Sequence, residues 1–124
     1  MDCPFCTDDS SLFGNDLAYV KWDLYPVSPG HVLIIPRRHV SSWFDLTADE
    51  HAAVSELIGR AREHLDKLYS PAGYNIGVNC GEAAGQTVMH AHLHLIPRYA
   101  GDVPNPRGGI RAVIRAKQDY PNLE

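Results

Sequence analysis

Residues 90–96 read His90-Ala91-His92-Leu93-His94-Leu95-Ile96, an alternation of imidazole and apolar side chains with the two-residue period of a β-strand. On a strand the three histidines share one face, and Ala91, Leu93 and Leu95 share the other. The apolar face belongs on a core, and the imidazole face then lines a surface or cleft. Flanking segments agree with a sheet. Leu17 to Trp22 and His31 to Pro36 are short apolar runs separated by the turn-forming Tyr25-Pro26-Val27-Ser28-Pro29-Gly30, which predicts an antiparallel pair. Tyr74 to Asn79 predicts a third strand and Thr87 to Ile96 a fourth, stopped by Pro97. Ile110 to Ile114 predicts a short last one.

A sheet with one apolar face needs a cover. Thr47 and Glu50 have the spacing of a capping box, in which hydroxyl and carboxylate each satisfy the other residue's backbone N–H. Val54, Leu57, Ile58, Ala61, Leu65 and Leu68 then recur at helical spacing, and Pro71 with Gly73 ends the run. Strands around one long helix predict an α+β fold with a mainly antiparallel sheet.

At 124 residues the chain fits one domain, and its 44% hydrophobic and 21% charged content is that of a globular protein. Apolar runs such as Val32-Leu33-Ile34-Ile35 are far too short to span a bilayer. Eleven basic against fifteen acidic residues leave a net charge of −4, which argues against binding a nucleic-acid backbone but not against holding one nucleotide. The beginning of the chain lacks the basic-then-apolar pattern of a signal peptide. With only Cys3, Cys6 and Cys80, a reducing cytoplasmic compartment without disulfides is expected.

Three readings of the histidine strand compete. The side chains could be merely solvated, although strict alternation behind a Gly-rich loop makes that a poor account. They could ligate zinc or iron, but no acidic residue stands near them in sequence to complete a catalytic site. Or one could act as a nucleophile towards phosphorus, its neighbours resisting protonation by like-charge repulsion. That requires one ring nitrogen to carry the proton and point away, so that the other presents its lone pair.

Gly85-Gln86-Thr87-Val88-Met89-His90-Ala91-His92-Leu93-His94-Leu95-Ile96-Pro97-Arg98 resembles the signature of the histidine triad (HIT) nucleotide hydrolases and transferases. Pro29 to His39 is similar to that family's upstream block, and the resemblance runs from Cys3 to about Arg98. It implies a sheet of about five strands with one long helix and a shorter one packed on it. A single domain then covers residues 1–124, with its core at about 3–98 and a tail at 99–124. It implies His92 as the nucleophile attacking an α-phosphorus, His94 at the phosphate and leaving-group oxygens, and His31 on the facing strand. Asp23 falls at the ribose-binding position; Asn79, Gln86 and Thr87, with the backbone amides of Gly85 to Val88, fall at phosphate-contacting ones. Phe5 and Leu24 are candidate walls around the base. Asp23 as a plain loop cap, and Phe5 and Leu24 as plain core, are the competing readings.

Cys3 and Cys6 have zinc-ligand spacing, yet two cysteines supply half a tetrahedral site, and a redox dithiol would need a strand before it. The resemblance supplies the other half: His39 and His90 complete a structural Zn2+ site in similar proteins. His90 would then position His92 rather than touch substrate. The resemblance also implies a homodimer acting on a nucleotide, with a dinucleoside polyphosphate as the leading substrate class. A phosphoramidase, a phosphorolytic nucleotidyltransferase and a zinc-stabilised nucleotide-binding module with little turnover are the alternatives.

Overall fold

The computed structural model describes residues 3–7 and 10–121. The outer ends of the expected domain, residues 1–2 and 122–124, lie outside them. Five strands, β1 (Phe13–Gly14), β2 (Ala18–Trp22), β3 (Val32–Pro36), β4 (Gly73–Gly77) and β5 (Leu93–Arg98), form one antiparallel sheet in the order β1-β2-β3-β5-β4. Helix α1 (Ala48–Tyr69) packs on one face.

Strand alternation sorts the side chains between two layers. Ala18, Val20, Val32, Ile34, Leu93 and Leu95 meet Val54, Leu57, Ala61 and Leu65 of α1 in the main core. Tyr19, Leu33 and Ile35 point the other way and gather with Phe5 into a second cluster. The buried apolar run of β3 follows from this, because both of its faces are covered. Leu68 is exposed, so the helical stripe ends one turn earlier than its sequence pattern.

The predicted capping box is present: Thr47 Oγ1 accepts from Glu50 N at 3.1 Å, and Glu50 Oε1 accepts from Thr47 N at 2.9 Å. Arg38 adds a fork, its Nε and Nη2 donating to the two Glu50 oxygens at 3.0 and 2.8 Å. The guanidinium holds the buried Glu50 carboxyl down at about 2. A depressed carboxylate stabilises the fold above its unfolded value and loses that contribution as pH falls, here from about 4.5 towards 2. Arg38 is half exposed, which discounts the pair to about 1–3 kcal/mol. Glu50→Gln is expected to lower stability by that amount at pH 6, with the gap to wild type closing below pH 3 in urea titrations.

Four expectations need correction. The fourth strand does not begin at Thr87; β5 starts only at Leu93. Its partner β3 ends at Pro36, which has no N–H for the ladder, and the chain from 87 to 92 bends away, with Ala91 N donating to Val40 O at 2.7 Å. Nor does Pro97 stop β5. The Ser28 hydroxyl donates to Pro97 O at 2.7 Å, which marks that side as the one where β3 has not yet begun and no ladder donor is needed. Ile110 to Ile114 is not a strand: Gly108 and Gly109 take positive φ, and Gly109–Val113 is a 3-10 turn. The shorter helix is present among the described residues only as 3-10 turns, of which Trp43–Asp45 leads into α1.

Candidate active site

The sheet face opposite α1 carries a cleft of about 400 Å³. Phe5, Asp23, Leu24, Asn79, Gly85, Thr87, Val88, His92 and His94 line it, as do Lys21 and Leu33. His31 and Gln86 are buried behind it.

Hydrogen bonds assign a tautomer to each imidazole. His92 Nδ1 lies 2.8 Å from His90 O, a carbonyl that can only accept, so Nδ1 carries the proton and Nε2 keeps its lone pair. Val27 N donates to His31 Nδ1 at 3.1 Å, which leaves the ring proton of His31 on Nε2. That Nε2–H donates to His94 Nδ1 at 2.9 Å, so neutral His94 carries its own proton on Nε2. The relay runs from a backbone amide through two rings and ends in an N–H donor on a cleft-lining side chain. Burial, with His92 and His31 beside it, pushes His94 down to about 4; burial also lowers His31, against the pull of Asp23. Both rings are therefore neutral near pH 7.

Asp23 does two things. Its Oδ1 accepts from Tyr25 N at 2.8 Å, the loop-capping role, while Oδ2 sits 3.3 Å from His31 Nε2 and 3.8 Å from His94 Nδ1. These three residues could be read as a metal triad. The tautomers disagree: with Nδ1 of His31 accepting from Val27, Nε2 has a proton where a ligand needs a lone pair.

Cys3, Cys6, His39 and His90 bring four ligand atoms within 4.8 Å of one another. His90 Nδ1 is 3.3 Å from Cys3 Sγ and 3.5 Å from Cys6 Sγ, and His39 Nδ1 is 3.1 Å from Cys6 Sγ. A zinc tetrahedron with Zn–S of about 2.3 Å and Zn–N of about 2.0 Å has edges of roughly 3.3–3.8 Å, close to these. The turn closed by Cys6 N donating to Cys3 O brings the thiols together. His90 Nε2 lies 2.7 Å from Pro36 O and donates to it, so its Nδ1 lone pair faces the cysteines. The donor set fits a metal.

Gln86 departs from expectation. Its Oε1 accepts from Gly81 N at 2.9 Å, and its Nε2 donates to Ser41 O at 2.8 Å and Val88 O at 3.1 Å. The side chain is spent on clamping the 81–88 loop and does not reach the cleft. The amides of Gly85 and Gln86 are likewise bonded, to Glu82 O and Gly81 O. Gly85 itself has a steric reason, a φ of +96°. Gln86→Leu strands three backbone groups. It is expected to cost about 1–3 kcal/mol in a urea titration and to lower kcat/KM about tenfold. Leu24, at 77% exposure, is a lip of the cleft rather than an enclosed wall. Lys21 was not among the expected residues, although the alternation Tyr19, Lys21, Asp23 places it on the same face as Asp23.

The sequence profile of the HIT domain matches residues 7–101. This chain belongs to the HIT domain family. The HIT chain is 38% identical over 104 residues to an AP-4-A phosphorylase of Mycobacterium tuberculosis, covering 82% of this chain and 53% of that protein. It is 41% identical over 80 residues to an asymmetrical bis(5'-nucleosyl)-tetraphosphatase of Schizosaccharomyces pombe, covering 64% and 44%. It thus spans about half the length of these curated relatives. A HIT family protein of Bacillus anthracis superposes with a TM-score of 0.71 at 28% identity, over 93% of this chain and 72% of that one. In the HIT chain no described helix is long and apolar enough to cross a membrane.

Proposed function

We propose that this HIT domain is a nucleotide phosphohydrolase that attacks the α-phosphate of a dinucleoside polyphosphate and releases a nucleoside monophosphate. The observation that carries the reading is the His92 tautomer, Nδ1–H held by His90 O and Nε2 left bare on a cleft-lining ring. Nε2 donates its pair to the α-phosphorus, a P–N bond forms, and the bond to the bridging oxygen breaks, the polyphosphate leaving with the electrons. His94 Nε2–H donates to that oxygen as charge builds, a fixed donor in place of reorganising water. Water then attacks phosphorus, the P–N bond breaks, and His92 is restored. Thr87, Val88 and Asn79 hold the phosphate, Asp23 accepts from the ribose hydroxyls once it turns from the His31 pair, and Phe5 and Leu24 flank the base. Gln86 holds the loop instead of the phosphate.

The AP-4-A phosphorylase relative supports a second reading, in which inorganic phosphate replaces water in the final step. Mass spectrometry of protein quenched with diadenosine tetraphosphate tests both. An adenylyl adduct on His92 is expected, with AMP as product in water alone and ADP when phosphate resolves it. Tight binding without adduct or mononucleotide release would sink the enzyme reading in favour of a binding module.

The same reading places a structural Zn2+ on Cys3, Cys6, His39 and His90, supported by their donor set and spacing. When bound, the ion supplies a closed crosslink, not Lewis acidity at the substrate. We further read residues 1–124 as one domain, with the tail from 99 folded back by Arg98 on Asp102 and Tyr99 Oη donating to Pro29 O. A cytoplasmic homodimer completes the proposal.

A further inference from the structure

The N–H that His94 offers the leaving oxygen depends on which way the two-ring relay runs. Reversed, His31 would hold its proton on Nδ1 and His94 on its own Nδ1. His94 Nε2 would then meet the leaving oxygen with a lone pair. Asp23 does not choose between the two directions. Its Oδ2 stands 3.3 Å from His31 Nε2 and 3.8 Å from His94 Nδ1, and a carboxylate accepts from whichever nitrogen is protonated. The choice is made behind the buried His31, where the Val27 amide donates to Nδ1 at 3.1 Å.

Packing does little to hold that amide in place. Leu24, Tyr25 and Val27 are exposed at 77%, 85% and 71%, so their side chains do not anchor this part of the β2–β3 connection. Immediately after Val27 the chain is tied down. Ser28 Oγ donates to Pro97 O at 2.7 Å, and Ser28 O accepts from His31 N at 3.2 Å. One residue thus joins the connection both to β5 and to the His31 backbone. Gly30, with a φ of +89°, lies so close by that a Cβ would stand 3.1 Å from the Pro97 ring. Tyr99 Oη adds a second tie, donating to Pro29 O at 2.6 Å. We infer that Ser28 is a positioning residue for the leaving-group step: its bond to β5 holds the Val27 amide on His31 and thereby keeps the His94 proton on Nε2. Ser28 is not among the residues lining the cleft, and it acts through Val27 and two rings. The donor role of His94 rests on the hydrolase reading; its tautomer does not.

Long-range proton–nitrogen NMR correlation of the histidine rings near pH 7, on the full chain without ligand, reads the tautomers directly. Wild type is expected to carry the protons of His31 and His94 on Nε2. Ser28→Ala is expected to move His94 towards the Nδ1–H form, and Ser28→Thr, which keeps the hydroxyl, to leave it on Nε2. Ser28→Val, equal in shape to the threonine variant, carries the same comparison if the alanine variant folds poorly. Kinetics use two esters of AMP: the nitrophenyl ester, whose oxygen leaves without a proton, and the phenyl ester, whose oxygen needs one. Ser28→Ala is expected to lower kcat for the phenyl ester about tenfold, part of what a positioned acid supplies, with both KM values and the nitrophenyl ester changed less than about twofold. Ser28→Thr restores the phenyl ester. An Nδ1–H tautomer of His94 in wild type overturns the inference before any variant is made. So does a His94 that stays on Nε2 in the variants lacking the hydroxyl, or an equal loss on both esters. If wild type cleaves neither ester, the hydrolase reading fails, while the ring spectra still decide whether Ser28 sets the tautomer.

Discussion

His92→Ala is expected to abolish the covalent adduct and to lower kcat/KM for the best dinucleoside polyphosphate by roughly four orders of magnitude or more, because no neighbour can take over the attack. His94 is the nearest imidazole, with ring centroids 5.2 Å apart, but its Nδ1 lone pair is occupied by His31 and its Nε2 carries the proton. His31 is buried behind it. The variant should keep its urea midpoint within about 1 kcal/mol, since His92 is only partly buried and its removal strands a single carbonyl. Single-turnover measurements make the distinction. Undiminished turnover in His92→Ala would remove the nucleophile from the account.

The second large effect concerns the metal. One zinc per chain is expected by elemental analysis, retained in His92→Ala and His94→Ala and lost in Cys3→Ser or Cys6→Ser. Metal-site free energy is folding free energy where the unfolded chain cannot assemble the ligands. The four ligands come from the chain start, the segment after β3 and the segment before β5. Losing that crosslink should cost at least about 3 kcal/mol, a fall in melting midpoint on the order of 10 °C for a domain this size. The core of α1 on the sheet does not depend on it, so the protein should weaken rather than unfold. Zinc lost from His94→Ala but kept in Cys3→Ser would move the metal to the Asp23, His31 and His94 group.

Much of this architecture was legible because it is written in periodicity. β5 alternates, β2 and β3 are short apolar runs bounded by turn residues, and α1 carries a capping box and a one-sided stripe, all of them patterns local to one segment. What failed was whatever a single segment does not encode. Thr87 to His92 looks like strand, yet whether it pairs is decided by Pro36 on another strand. β1 has two residues, too few for a pattern, and owes its place to Asn15 Oδ1, which accepts from Leu17 N and Ala18 N at the turn. In the site, residue types drew attention to the histidines and the cysteine pair. The lysine two positions before Asp23 carries no such signal, because a lone lysine on a strand is ordinarily a solvated one. Gln86 is the opposite case: its position suggests a phosphate contact, while its three backbone partners at Gly81, Ser41 and Val88 lie along the chain in no recognisable pattern.

Phe5 sits between Cys3 and Cys6 in the turn that holds both thiols, with its carbonyl taken by Tyr19 Oη at 2.6 Å and its ring over the cleft. With an ion on those cysteines, the same few residues that anchor the beginning of the chain also roof the pocket. Stripping the ion would then act first on how long a nucleotide stays and only afterwards on any reaction there, so metal supply would set the grip of the cleft.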